Sequence, residues 1–193
     1  MKTKFTICLL LVAIVSFSQS FEKLKIETRQ IYDANYNMDF DAIAKLSYPK
    51  IIELLGGKLK FIEKLDSDYL NDGFRMRLQL ENPVFSYSEI RKVEDKTFYI
   101  VSYYNPVRYF FETKLDADAG MKKAAQLKES TNAKTVIFEP KRNSFNVKRN
   151  SKFVAISDQT TNGEWRFFNM DDVQQRTLFY TLFSTNVKKE LGL

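Results

Sequence analysis

The chain holds no histidine, and its one cysteine is Cys8. Ser-His-Asp and Cys-His hydrolysis are therefore excluded, as are the usual zinc sites built on His or Cys ligands. Proton chemistry is left to Asp, Glu, Tyr and Lys. Tyr32 and Tyr36 stand four apart in a helix-favouring stretch, so they share a helix face. Tyrosines paired in this way either pack in a core with their hydroxyls at the rim or offer those hydroxyls to a ligand. Glu81, Glu89, Glu112 and Asp158 lie on or beside strand-like segments, where a carboxylate is most simply a solvated residue of the outer face. Asp39-Phe40-Asp41 and Asp66-Ser67-Asp68 are too short for an oxygen-ligand calcium loop and suit helix ends. There is no phosphate-cradling glycine loop and no dinucleotide fingerprint. These residue types assign no catalytic group, no metal ligand and no cofactor.

Aromatic residues form the denser constellation, at 15% of the chain. Tyr99, Tyr103, Tyr104, Tyr109, Phe110 and Phe111 are expected on two neighbouring strands, with Trp165, Phe167 and Phe168 on the last one. Alternate positions must point to one side. The residues expected to line a pocket are Tyr32, Tyr36, Tyr103, Phe110, Trp165 and Phe167. Such a lining suits an apolar or sugar-like ligand. The same rings also suit a core together with a face that buries against a second copy of the chain. Lys141, Arg142, Lys148, Arg149 and Lys152 cluster around an expected hairpin. They could meet phosphate, anionic lipopolysaccharide or an acidic glycan, or simply be solvated. The formal charge of +6 includes Lys2 and Lys4, so the remainder is only mildly basic and no nucleic acid is expected.

The elements that must position these groups follow from hydrophobic period. Residues 21–38 favour helix, with Leu24, Ile31, Ala34 and Met38 on one stripe. Asp39 can cap a short helix to Leu46, and Pro49 suits the first turn of another. Gly56-Gly57 ends or kinks that turn. Leu55, Leu59, Ile62, Leu65 and Tyr69 then step by three and four. After Asn71-Asp72-Gly73 the period becomes two. Phe74, Met76, Leu78 and Leu80 alternate with polar residues as in a strand with one wet face. Further strands are expected over 84–93, 98–104 and 107–113, with a turn at Glu94-Asp95-Lys96. A helix over 116–128 has its acids early and its lysines late, matching the helix dipole. Strands over 135–138, 144–148, 153–157 and 164–169 follow. Asp172 with Gln175 resembles a capping box before a last helix with Tyr180, Phe183, Val187 and Leu191 inward. Helices first and then a meandering sheet give the α+β class.

The N-terminus adds a destination. Lys2 and Lys4 precede an apolar run from Phe5 to Val15 and small polar residues to Ser20. That is the composition of a secretory signal, and it is too short to span a bilayer, which takes about 20 apolar residues. Cleavage is expected after Ser18, leaving 19–193 as one domain that is periplasmic or extracellular. The expected mature chain lacks cysteine and a transmembrane segment, so stability must come from a hydrophobic core. An apolar content of 44% is sufficient for one.

Three stretches carry a family resemblance. Tyr32–Tyr36 leads into Asp39-Phe40-Asp41 and Leu46-Ser47-Tyr48-Pro49-Lys50, then Leu55-Gly56-Gly57-Lys58, and later Ile156-Ser157-Asp158 with Gly163-Glu164-Trp165-Arg166-Phe167. The chain resembles the nuclear transport factor two-like (cystatin-like) superfamily, and within it small exported proteins of Bacteroidota. The resemblance implies N-terminal helices packed on a curved antiparallel sheet as a cone with an internal cavity, and a C-terminal helix. The 116–128 helix departs from it and puts the later strand order in question. Members include isomerases, dehydratases, binding domains and dimerisation modules, so the fold does not select the function. The dehydratases' His–Asp pair cannot be built here. The isomerases pair Tyr and a protonated Asp with a basic Asp, and no carboxylate in this sequence matches that base. The expectation is a non-enzymatic exported domain that binds a hydrophobic small molecule or a protein partner, a homodimer through its sheet face being one form of the latter. The alternatives are an isomerase or lyase using Tyr and Asp/Glu, and a homodimeric structural protein of the envelope.

Overall fold

The structure is a computed structural model that describes residues 21–193. The expected signal segment and its cleavage position lie outside the described residues. Helix α1 occupies 21–37 and buries Leu24, Ile31, Tyr32 and Ala34. The chain leaves it through Met38 at a φ of 57°. The Asp39 side chain then accepts from the Ala42 N–H and caps α2 (Phe40–Leu46). Pro49 opens α3 (Pro49–Leu54), where its missing N–H costs nothing. Gly56 and Gly57 take φ values of 91° and 99°, which glycine alone adopts without strain. They turn the chain into α4 (Lys58–Tyr69). This helix buries Phe61, Leu65 and Tyr69. Leu59, expected on the inner stripe, is 78% exposed, because the helix is phased on Phe61.

The sheet has a two-strand spine. β4 (Lys96–Phe111) and β6 (Ser144–Ser157) pair antiparallel without interruption from Thr97↔Ser157 to Phe110↔Ser144. Short strands line the two outer edges. β1 (Phe74–Leu78), β2 (Phe85–Tyr87) and β3 (Arg91–Val93) lie end to end along β4. β5 (Thr135–Glu139) and β7 (Arg166–Asn169) lie along β6. The single strand expected over 84–93 is thus two. The separate strands expected over 98–104 and 107–113 are one, as are those over 144–148 and 153–157. Pro106 does not break β4. Its carbonyl accepts from the Gln79 N–H on the β1 side, so its nitrogen faces that same side, beyond the end of β1. No bond to β6 is lost. The turn at Glu94 and Asp95 has positive φ at both residues, as a tight hairpin requires.

Along the spine, odd-numbered residues face inward and even-numbered ones outward. Helix α5 (Ala117–Ser130), capped by the Asp116 side chain, covers the inner face at one end. Gly120 lies against the Phe138 ring of β5, and Leu127 joins a core with Tyr109, Phe145 and Val147. The helix leaves the sheet intact, in the order β1-β4-β6-β5. Helices α1 and α2 close a larger core over the other end of that face, around Tyr32, Tyr103, Phe153 and Phe167. The last helix is two, α6 (Val173–Leu182) and α7 (Thr185–Leu191), restarted by the Ser184 cap. They pack on the outer face, where Phe98 meets Phe183, and Phe168 meets Phe179. Phe179, not the expected Tyr180, faces inward, and Tyr180 is 41% exposed. Among the described residues the class is α+β, with seven helices and a curled, open, antiparallel sheet of seven strands. No described helix is long and apolar enough to cross a membrane.

Candidate functional site

A cavity of about 400 Å³ lies between the two cores. The inner faces of β4 and β6 form its floor with Tyr103, Asn105, Tyr109 and Arg149. Helix α4 supplies one wall with Lys64, Asp68 and Tyr69, and α1 adds Asn35. The loop from β7 to α6 brings Asp171 and Asp172, and the end of α5 brings Ser130 and Thr131. Asn105 and Arg149 are direct cross-strand partners, so they share the inner face.

Two ionic groups organise this lining. The deeper one begins at Asn105, whose Nδ2 donates to Ser151 Oγ at 2.8 Å. The Ser151 hydroxyl donates to Asp171 Oδ2, and Arg149 Nη2 lies 3.4 Å from that oxygen. Side-chain exposure is only 11% for Arg149 and 18% for Asp171. Asp171 raises the pKa of Arg149 against the opposing effect of burial, so the guanidinium remains charged. The second group lies nearer the mouth. Lys64 bridges Asp68 and Asp172, and Asp172 also caps α6 through the Gln174 and Gln175 N–H groups. Burial pushes the Asp68 carboxyl up against the pull of Lys64.

The cavity tyrosines are all held in the protonated form. Burial drives Tyr69 and Tyr103 far above the usual phenol value and raises Tyr109 as well. Tyr69 donates to Asn35 Oδ1 at 2.9 Å. The hydroxyls of Tyr103 and Tyr109 line the same space with no hydrogen-bond partner among the described residues. Each of the three cavity carboxylates is ion-paired. The arrangement offers protonated donors and paired charges, which suit holding a molecule better than moving a proton. Among the described residues, no group of three or more Asp, Glu, His or Cys is placed to hold a metal ion.

Of the six residues expected to line a pocket, Tyr103 does so. Tyr32 packs behind it, ring edge to face at 5.4 Å, with its hydroxyl donated to the Leu80 carbonyl. Burial pushes that phenol up to about 12. Tyr36 is half-buried against the larger core. Trp165 is buried in that core against Tyr99, and its backbone N–H donates to Glu27 at 3.1 Å. Phe167 borders only a void of about 10 Å³. Phe110 lies on the opposite face, against Arg75 and Arg108. One uninterrupted strand gives residues 103 and 110 opposite parity, and the expected break between them does not exist. The β5–β6 hairpin is present and carries Lys141 and Arg142 at its turn, but the five basic residues do not gather around it. Lys148 and Lys152 are exposed on the outer face of β6, while Arg149 between them points into the cavity.

Asn105, Asp171 and Lys64 are not singled out as site residues by the sequence, while Arg149 and Tyr109 are named there only in the basic cluster and the aromatic constellation, not in the pocket. No protein-family model matches the chain, and no curated protein matches it.

Proposed function

We propose that this protein is an exported, non-enzymatic binding domain whose cone holds a small polar molecule. One observation carries the reading: a single cavity collects a buried Arg–Asp pair, two unbonded tyrosine hydroxyls and four asparagines over a floor of aromatic rings. A few convergent polar groups in a concave site are the usual form of a small-molecule site. Most of the aromatic residues expected to bind a hydrophobic ligand are instead used in the cores, which turns the reading towards a polar one. Helices laid over the inner face of a curled sheet also agree with the nuclear transport factor two-like resemblance. Export rests on the composition of the first 20 residues.

A second reading, an isomerase or lyase, draws on Asp68. Its raised carboxyl shares the cavity with the Tyr103 and Tyr109 hydroxyls. Its pairing with Lys64 weighs against a role as a free base. Native mass spectrometry of the protein purified from a periplasmic expression host tests the first reading and also counts subunits. A discrete retained mass, lost when Tyr103 and Tyr109 are both changed to Phe, is the expected result. A bare protein that no member of a polar-metabolite panel stabilises against heat would overturn it.

A further inference from the structure

Arg149 is unusual in how little of it is used. Its guanidinium carries five N–H donors, and none makes a well-formed hydrogen bond to a described residue. Its ionic contact is the 3.4 Å approach of Nη2 to Asp171, and Nε is buried with no partner. Buried polar groups are nearly always hydrogen-bonded, and an exception needs an explanation. The next strand adds to the imbalance. The Tyr103 and Tyr109 hydroxyls front the same cavity without partners, and both stay protonated and able to donate. Lys64 shows the contrast, since it is satisfied by two carboxylates. Asn105 Oδ1 is a buried acceptor without a partner on the same floor, so the cavity gathers several unmet donors, one of them a cation, beside a single unmet acceptor.

We infer that the ligand of this cavity carries a carboxylate group, held by Arg149 with the Tyr103 and Tyr109 hydroxyls. This rests on the reading of the cavity as a small-molecule site. A carboxylate is planar, acceptor-only and singly charged, and it matches the guanidinium fork. A phosphate dianion fits less well, because Asp171 stands beside Arg149 and the cavity holds three carboxylates against two cations. A neutral polyol would satisfy single donors but would give the buried cation no negative charge.

The test uses near-isosteric pairs in which the amide loses the negative charge and has an NH2 donor in place of one acceptor oxygen: benzoate and benzamide, phenylacetate and phenylacetamide, hexanoate and hexanamide. Each is titrated calorimetrically into the purified protein at pH 7. At least one carboxylate should bind about tenfold or more tightly than its amide, about 1.4 kcal/mol. Arg149→Met should abolish that preference. Tyr109→Phe and Tyr103→Phe, which leave the ionic pair in place, should each weaken the carboxylate several-fold and the amide, whose neutral carbonyl is the weaker acceptor, by less. These two variants keep the test valid if Arg149→Met does not fold. Equal binding of acid and amide in every pair overturns the inference, as does a preference that survives Arg149→Met. So does a cavity that takes neutral maltose or glucose and none of the acids, an outcome that leaves the binding reading standing. Failure of every probe, acid, amide and sugar alike, overturns both.

Discussion

Replacing Asp171 with Asn isolates the ion pair at the centre of the cavity. The substitution keeps the shape and keeps an oxygen to accept from the Ser151 hydroxyl, so it removes little besides charge. Arg149 and Asp171 approach to 3.4 Å, and at an effective dielectric of about 20 the gross attraction is about 5 kcal/mol. Both side chains keep a small exposure, which admits some screening, and the contact lacks hydrogen-bond alignment. The net loss expected is about 2–4 kcal/mol, near or below the range for breaking a buried pair. For a chain of this size that lowers Tm by roughly 5–15 °C. The assay is urea unfolding followed by the fluorescence of the single tryptophan, Trp165, with wild type, Asp171→Asn and the double variant Arg149→Met/Asp171→Asn compared. The double variant should recover most of the loss, because removing the orphaned cation removes the penalty. A single-variant loss under about 0.5 kcal/mol, or a double variant no more stable than the single, would refute the claim that an otherwise unbonded cation depends on Asp171.

Two further predictions probe the frame around the site. Burial raises the pKa of Glu27 above its usual 4.5, with Arg166 and Lys23 pulling the other way. A folded value above the unfolded one means that its contribution is complete below about pH 4.5 and is lost as pH rises through the folded value. Glu27→Gln should therefore gain stability relative to wild type between pH 4 and pH 7, read as the difference in Tm at each pH; a relative loss over that interval contradicts the assignment. Gly120→Ala should cost about 1–3 kcal/mol by overpacking, because a Cβ there would run into the Phe138 ring, and this outweighs the gain of up to about 1 kcal/mol in helix propensity. Phe138→Leu in the same chain should restore part of the loss in thermal unfolding, whereas an unchanged Tm for Gly120→Ala would show that α5 does not pack on β5.

Local chemistry made much of the frame legible. Asp39, Asp116 and Asp172 cap the helices they precede, Pro49 opens one, and the alternation from Phe74 marks β1. The misplaced features share a cause, which is that tertiary partners decided among locally equivalent choices. In α4 the sequence offers stripes through Leu59 or through Phe61, and packing on the neighbouring helices selected Phe61. In α6 the adjacent rings of Phe179 and Tyr180 compete, and the Phe168 and Phe183 rings took Phe179. The length of β4 was hidden by Asn105-Pro106, which looks like a break until the edge on which the proline nitrogen falls is known.

The site itself was concealed by the same misreading of strand length, though its signal was present. From Phe145 to Ala155 the inward positions read Phe145, Val147, Arg149, Ser151, Phe153, Ala155, and the outward ones include Lys148, Asn150 and Lys152. A strand that alternates in this way and places a guanidinium between a valine and a serine on its apolar side must meet the cost of burying that charge. It can do so with a carboxylate from elsewhere in the chain, and Asp171 supplies one through a single contact at 3.4 Å. Cut into two short strands, the segment has no parity, and Arg149 merges into a basic loop. Joined as one strand of 14 residues, it sets Arg149 opposite Asn105 and on the same face as Tyr103 and Tyr109. The register of one strand pair thus turns three residues of ordinary local character into a donor set whose one acceptor contact among the described residues is the 3.4 Å approach of Asp171 to Arg149.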